Sequence, residues 1–469
     1  MMDMALCQRL FKCVHQHTVS FAAICFIFNK QHYRGISTND LSKEDQAALY
    51  VHWPYCSKRC TYCNFNKYIS RNVDNIRMTK CLAKETKTLM EYSRVSRINS
   101  IFFGGGTPSL AEPKTIATVI ETVNKTGQLL HPEAEVTLEV NPTLLETGKL
   151  REFRAAGVNR VSIGVQALND TDLKALGREH SSLDSMKCIE EAVSLYPGQV
   201  SVDVIFGRPG QTLDSWITEL QHVLSVSDKH ISLYQLTLER GTQLFKWVES
   251  GHMELPDDDT MADMYLEAVK TLEKHGFEQY EVSNFAKKGA RSDHNTAYWT
   301  GQQYIGVGPG AHGRFVPRGL RRTIREARIQ TLEPLNWMFE VERDGHATRR
   351  VVEQTDIDIL KELVALGLRT KEGVTQESWS ERCPNHTLRS VFEGPAVVSL
   401  ISQQFLILDN RGLRTTRKGM PLLDAMLPDL ILAIETKFHN FSTNQIQDNC
   451  YRDCDKGDQD MSVGKNNSR

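Results

Sequence analysis

From residue 47 to about residue 240, short apolar runs alternate with longer amphipathic stretches, and this rhythm restricts the fold more than any other feature of the chain. The runs are "ALYVHW", "SIFFGGG", "EVTLEVNP", "RVSIGVQ", "VSVDVIFG" and "ISLYQLTLE". They are too short for buried helices and rich in β-branched residues, so they read as strands. Between them lie helical patterns such as "MTKCLAKETKTLMEY" and "SSLDSMKCIEEAVSLY". A strand that returns parallel to its predecessor needs a crossover of that length, so the repeat implies an α/β fold with a parallel sheet. Six such units predict a partial (β/α)6 TIM-like barrel over 45–260, with chemistry gathered at the C-terminal ends of its strands. Residues 261–330 read as a less regular barrel extension, rich in Gly and aromatics. A smaller α+β, winged-helix-like domain is predicted over 331–435, and the polar stretch 440–469 reads as a disordered tail.

The chain of 469 residues is 40% apolar, enough for a large core, and carries a formal net charge of −2. It has no Lys/Arg run of the kind that tracks a phosphate backbone, which argues against nucleic acid as a partner. The cysteines number 11, an odd count, and are unevenly spread, as reduced intracellular thiols would be. Cys81, Cys188 and Cys383 are isolated and read as small buried apolar residues. Residues 1–38 carry Arg9, Lys12, Lys30 and Arg34 against the single acid Asp3, the pattern of a mitochondrial transit peptide. The run "VSFAAICFIF" raises the rival of a secretory signal, but no small-residue cleavage site clearly follows it.

Directly after the first predicted strand stands "YCSKRCTYCNFNKY". Cys56, Cys60 and Cys63 form a CxxxCxxC loop, which lets three thiolates hold three irons of a [4Fe–4S] cluster and leaves the fourth iron open. Zinc is the alternative. It ordinarily takes four donors from paired knuckles, and here no second knuckle is near; His52 is the one candidate for a fourth ligand.

With Tyr62 before its last cysteine, this loop resembles the signature of the radical S-adenosylmethionine (SAM) superfamily. Further features recur in order over residues 47–435 and resemble the branch that holds oxygen-independent coproporphyrinogen III oxidase and the haem chaperone HemW. The resemblance implies that an open iron accepts the amino and carboxylate groups of SAM. It assigns Gly105, Gly106 and Thr107 of "GGGTPS" to the methionyl amino group, and Glu139 and Arg178 to the methionine end. Gln166 and Asp203 fall to the ribose hydroxyls and Tyr50 to the sulfonium. The chemistry agrees: a guanidinium pairs a carboxylate in two-pronged fashion, and an aromatic face attracts a cation.

The oxidase branch has a further cysteine two residues past the third, and Phe65 stands there instead. The chaperone branch has an HNxxYW motif, present as His294, Asn295, Tyr298 and Trp299. Imidazole is a natural axial ligand of haem iron, which makes His294 the first candidate, with His312 and His52 in competition. The expected function is a mitochondrial haem chaperone with a [4Fe–4S] cluster, SAM and haem. Its partner would be a haem-accepting protein of the respiratory chain, and peripheral association with a membrane is a separate expectation. The alternatives are a SAM-dependent oxidoreductase acting on a tetrapyrrole and a zinc-stabilised scaffold.

Overall fold

The computed structural model describes residues 46–454 other than 71, 127–128 and 319–324; the expected leader, 1–38, lies outside them. All six predicted strands form: β1 (Gln46–Trp53), β2 (Arg97–Gly105), β3 (Leu129–Val140), β4 (Arg160–Gln166), β5 (Val200–Phe206) and β6 (His230–Gln235). They pair parallel in chain order. The crossovers carry α1 (Asn75–Tyr92), α2 (Pro113–Lys125), α3 (Leu150–Ala155), α4 (Ser182–Leu195) and α5 (Leu213–Val226). Local chemistry sets where these helices start. Pro113 opens α2, and capping boxes of Ser181 with Asp184 and of Thr212 with Ser215 open α4 and α5.

Successive strand residues point to opposite faces of the sheet. Val136, Leu138 and Val140 of β3, Val161, Ile163 and Val165 of β4, and Val200, Val202 and Val204 of β5 belong to the main buried core. The alternate positions are polar or small: Glu135, Thr137 and Glu139, then Ser162 and Gly164, then Ser201 and Asp203. One face therefore seals the sheet against its helices, and the other forms a polar interior.

The sheet is wider than predicted. After α6 (Asp258–Lys274) come β7 (Glu278–Glu281) and β8 (Asn284–Ala286), which extend the β6 edge antiparallel. Then follow α7 (Asp293–Trp299), β9 (Gln303–Val307), β10 (His312–Phe315), β11 (Glu326–Gln330), α8 (Pro334–Asp344) and β12 (Thr348–Glu353). β9 pairs parallel with β1, and β10 to β12 continue antiparallel from it. The result is a mixed twelve-stranded sheet in the order β12-β11-β10-β9-β1-β2-β3-β4-β5-β6-β8-β7. The segment read as irregular thus supplies a seventh parallel strand beside β1.

The division between units also falls later than 331. Residues up to 355 pack as one unit together with 369–372, and 356–368 with the residues from 373 onward form a second. The second unit holds α9 (Asp356–Gly367), the antiparallel strands β13 (Val374–Thr375), β14 (Leu406–Asp409) and β15 (Gly412–Thr415), and α10 (Leu423–Cys454). Helices with a small three-stranded sheet agree with the expected α+β module. The backbone of α10 is helical past 440, where a disordered tail was expected, and residues 455–469 lie outside the described residues.

Candidate functional site

The cysteine loop leaves the C-terminal end of β1 and is held at several points. The two-residue strand Tyr55–Cys56 pairs with Tyr68–Ile69. The Thr61 N–H donates to Leu176 O at 3.1 Å and its hydroxyl to Ala175 O at 2.8 Å. Asn66 donates to Pro309 O at 2.9 Å. Cys56, Cys60 and Cys63 all line one cavity of ≈ 510 Å³ at the strand ends. Thr107 Oγ1 donates to Cys56 Sγ at 3.4 Å, and Arg178 Nη1 donates to Cys60 Sγ at 3.4 Å. Burial pushes the Cys56 thiol up to about 11, with the Thr107 hydroxyl acting the other way. Hydrogen bonds of this kind favour sulfur that is already ionised by a metal.

Among the described residues, no three His, Cys, Asp or Glu side chains are placed to hold a single metal ion. His52 does not complete one. Its Nε2–H donates to Asn66 O at 2.8 Å, so its Nδ1 accepts from the Tyr50 hydroxyl at 2.9 Å, and both nitrogens are engaged. Three thiols on one cavity, with His52 engaged elsewhere, fall one donor short of the four that zinc ordinarily takes.

The same cavity brings together Gly105, Gly106, Thr107, Glu139, Gln166, Arg178 and Asp203. Gly105 N–H donates to Glu139 Oε2 at 3.2 Å. Burial, reinforced by the charge of Asp203, raises the Glu139 carboxyl to about 8. Asp203 accepts from Ser162 Oγ at 2.7 Å and Ser201 Oγ at 3.3 Å, while burial raises its pKa. Arg178 Nη2 donates to Asn141 Oδ1 at 2.6 Å and Gly164 O at 2.9 Å. A Cβ at Gly164 would meet Gln166 Nε2 at 2.8 Å, so glycine there makes room for the Gln166 side chain. The glycines of "GGGTPS" serve packing as well as any ligand: a Cβ at Gly106 would meet the Pro54 and Tyr55 backbone at 2.9 Å.

Two predicted residues lie away from the cavity lining. Tyr50 turns its hydroxyl to His52 and its ring to Phe102. His294, 1% exposed, lies inside the barrel, stacked on Phe102 at 4.9 Å, with Nδ1 3.0 Å from Ser100 Oγ. Burial pushes its imidazole down to about 3. In this conformation the ring is closed off from a molecule as large as a porphyrin, contrary to its reading as an axial ligand. His312 lines no part of the cavity either, and burial lowers it to about 4.

Residues 50–223 match the family model described as the radical SAM superfamily. A zebrafish (Danio rerio) relative, radical S-adenosyl methionine domain-containing protein 1, mitochondrial, is 53% identical over 89% of this chain and 94% of its own length. The chain belongs to the radical SAM superfamily. Its branch within the superfamily includes the heme chaperone HemW of Bacillus subtilis, 32% identical over 77% of this chain and 92% of that one. Residues 354–422 match the HemN C-terminal domain. The solved coproporphyrinogen III oxidase HemN of Escherichia coli, at 21% identity, has a TM-score of 0.68 over 84% of this chain and 91% of that one, and shares its fold. Vertebrate relatives at 51–53% identity are named as mitochondrial, and so is this chain's location, as the leader predicts.

Several residues of the radical SAM cavity escaped the sequence. Asn141 sits two residues past Glu139 in "LEVNP" and donates to Thr107 Oγ1 at 3.2 Å, joining the glycine loop to Arg178. Tyr234 and His180 also line the cavity. Arg208, 2% exposed, grips the Gln166 carbonyl at 3.1 Å while ion-paired to Glu219 and to Asp172, the latter at 3.0 Å. Asn141 and Tyr234 carried a usable signal, a polar residue at the end of an otherwise apolar strand; Arg208 carried none.

Proposed function

We propose that this protein is a mitochondrial haem chaperone that holds a [4Fe–4S] cluster on Cys56, Cys60 and Cys63, binds SAM in the adjoining cavity, and passes haem to an acceptor protein of the respiratory chain. The observation that carries the proposal is the gathering of three thiols, Arg178, two carboxylates, Gln166 and the glycine loop around one cavity. The relationship to a heme chaperone HemW, 32% identical over most of both chains, supports the chaperone reading. Phe65 supports it too. It stands where the oxidase branch has a cysteine, and it is 64% exposed at the cavity.

The donor set fits the cluster and SAM. When bound, that pair supplies one-electron cleavage of a carbon–sulfur bond. The chain's own residues bind and orient. Glu139, aimed by the Gly105 N–H, offers a carboxylate to an ammonium group, and Arg178 offers a guanidinium to a carboxylate. Asp203, held by Ser162 and Ser201, and Gln166 offer acceptors to a pair of hydroxyls. Among the described residues, His52 is hydrogen-bonded through both ring nitrogens and His294 is buried, so no step is assigned to either. Among the described residues no helix is long and apolar enough to cross a membrane.

The test is anaerobic reconstitution followed by haem titration and transfer to an apo-acceptor. Haem uptake and release support the reading, and failure of the reconstituted protein to bind haem overturns it. Incubation with coproporphyrinogen III, SAM and a reductant is expected to give no vinyl product. Formation of that product would favour the tetrapyrrole oxidoreductase instead.

A further inference from the structure

We infer that the HNTAYW helix, α7, is a support beneath the SAM cavity, a positioning element in which His294 holds Tyr50 through Phe102. The inference rests on the reading of the cavity as a SAM site.

The helix is locked into the barrel interior at its start. Glu135 of β3 accepts from Ser292 Oγ at 2.9 Å, Asp293 N–H at 3.0 Å and His294 N–H at 3.1 Å. Glu135 in turn lies 3.5 Å from Arg160 Nη1, and Arg160 Nη2 donates to Ala290 O at 3.0 Å, just ahead of the helix. Glu135 and Arg160 are 7% and 2% exposed. A buried ion pair with its hydrogen bonds made is costly to break from one side, so α7 is a fixed support.

From this support the route upward is aromatic. The His294 ring stacks on Phe102 at 4.9 Å, and Phe102 stacks on Tyr50 at 6.3 Å. The Tyr50 hydroxyl donates to His52, which donates to Asn66 in the segment after the cysteine loop. A Cβ on Gly105 would strike the His52 ring at 2.6 Å, so the glycine loop rests directly on that imidazole. Tyr298 closes the lower side of the stack, edge-on to His294 at 4.9 Å.

SAM affinity of the anaerobically reconstituted protein tests this, measured by equilibrium dialysis and by the shift of the reduced-cluster paramagnetic resonance spectrum on adding SAM. Iron content and thermal midpoint serve as controls. Loss of an aromatic stack corresponds to about a tenfold change, so His294→Ala is expected to weaken SAM about tenfold at unchanged iron content. His294→Phe keeps the ring and is expected to recover affinity to within about threefold of wild type. Phe102→Leu, which breaks the same stack at its middle ring, is expected to weaken SAM about as much as His294→Ala. Wild-type affinity in His294→Ala, or equal losses in the Ala and Phe variants, would overturn the inference while leaving the SAM site intact. Failure of the wild-type protein to bind SAM removes the site and the inference together. Should His294→Ala not fold, the His294→Phe and Phe102→Leu variants decide.

Discussion

Glu139 lies in a half-buried position where burial and the nearby Asp203 carboxylate raise its pKa to about 8 from an ordinary value of 4.5. An acid raised in the folded state binds its proton more tightly there than in the unfolded chain. Its contribution to stability is complete below the unfolded pKa and is lost as pH rises toward the folded one. Ligand-free protein should therefore lose stability between about pH 5 and pH 8, by at most about 1.4 kcal/mol per pH unit before screening by cavity water. Thermal unfolding across that range is expected to show a shallower fall in Glu139→Gln than in wild type; parallel slopes would contradict the assignment. Gly106→Ala forces a methyl group against the Pro54 and Tyr55 backbone, 2.9 Å away. The variant is expected to unfold about 1–3 kcal/mol more easily, as overpacked sites do, in a denaturant titration. Ten of the twelve site residues read from the sequence line the cavity; most stand near or beyond a strand end, while Asp203 sits in the middle of β5 on its polar, inward face. Tyr50 and His294 do not, because which face of an element looks inward depends on packing that spacing alone leaves open.

Gln166 ends β4 with φ 65, a left-handed conformation that costs a non-glycine residue of order 1 kcal/mol or more. The structure holds it there from the next crossover: Arg208 after β5 donates to the Gln166 and Ile205 carbonyls at 3.1 and 2.9 Å. Arg208→Ala would free Gln166 and strand the Glu219 carboxylate, a buried partner. A loss of about 3–5 kcal/mol is expected, read by chemical denaturation, with weakened SAM binding in the folded fraction. The βα elements were legible because runs of six to nine residues repeat with helices between them. β7 to β10 were not, since three to five residues rich in Gly and aromatics carry no period. Their pairing is decided by the edges already built, with β9 completing the sheet beside β1.

At the scale of the whole molecule, the first unit carries the cavity and the second a compact α+β module, and every residue lining the cavity lies between 56 and 239. The sequence placed the boundary at 331, whereas residues up to 355 group with the first unit, where β12 pairs with β11 of the large sheet. The account rests on a cluster bound by three thiols with one iron left open. Cys56→Ser, Cys60→Ser and Cys63→Ser are each expected to lose most of the cluster. The decisive measurement is iron and sulfide content, with the paramagnetic resonance spectrum of the reduced protein, after anaerobic reconstitution of wild type and these variants. The prediction is about four irons per wild-type chain, a spectrum that shifts when SAM is added, and neither property in the variants. A wild-type protein without an iron–sulfur cluster, or variants that keep it undiminished, would contradict the account.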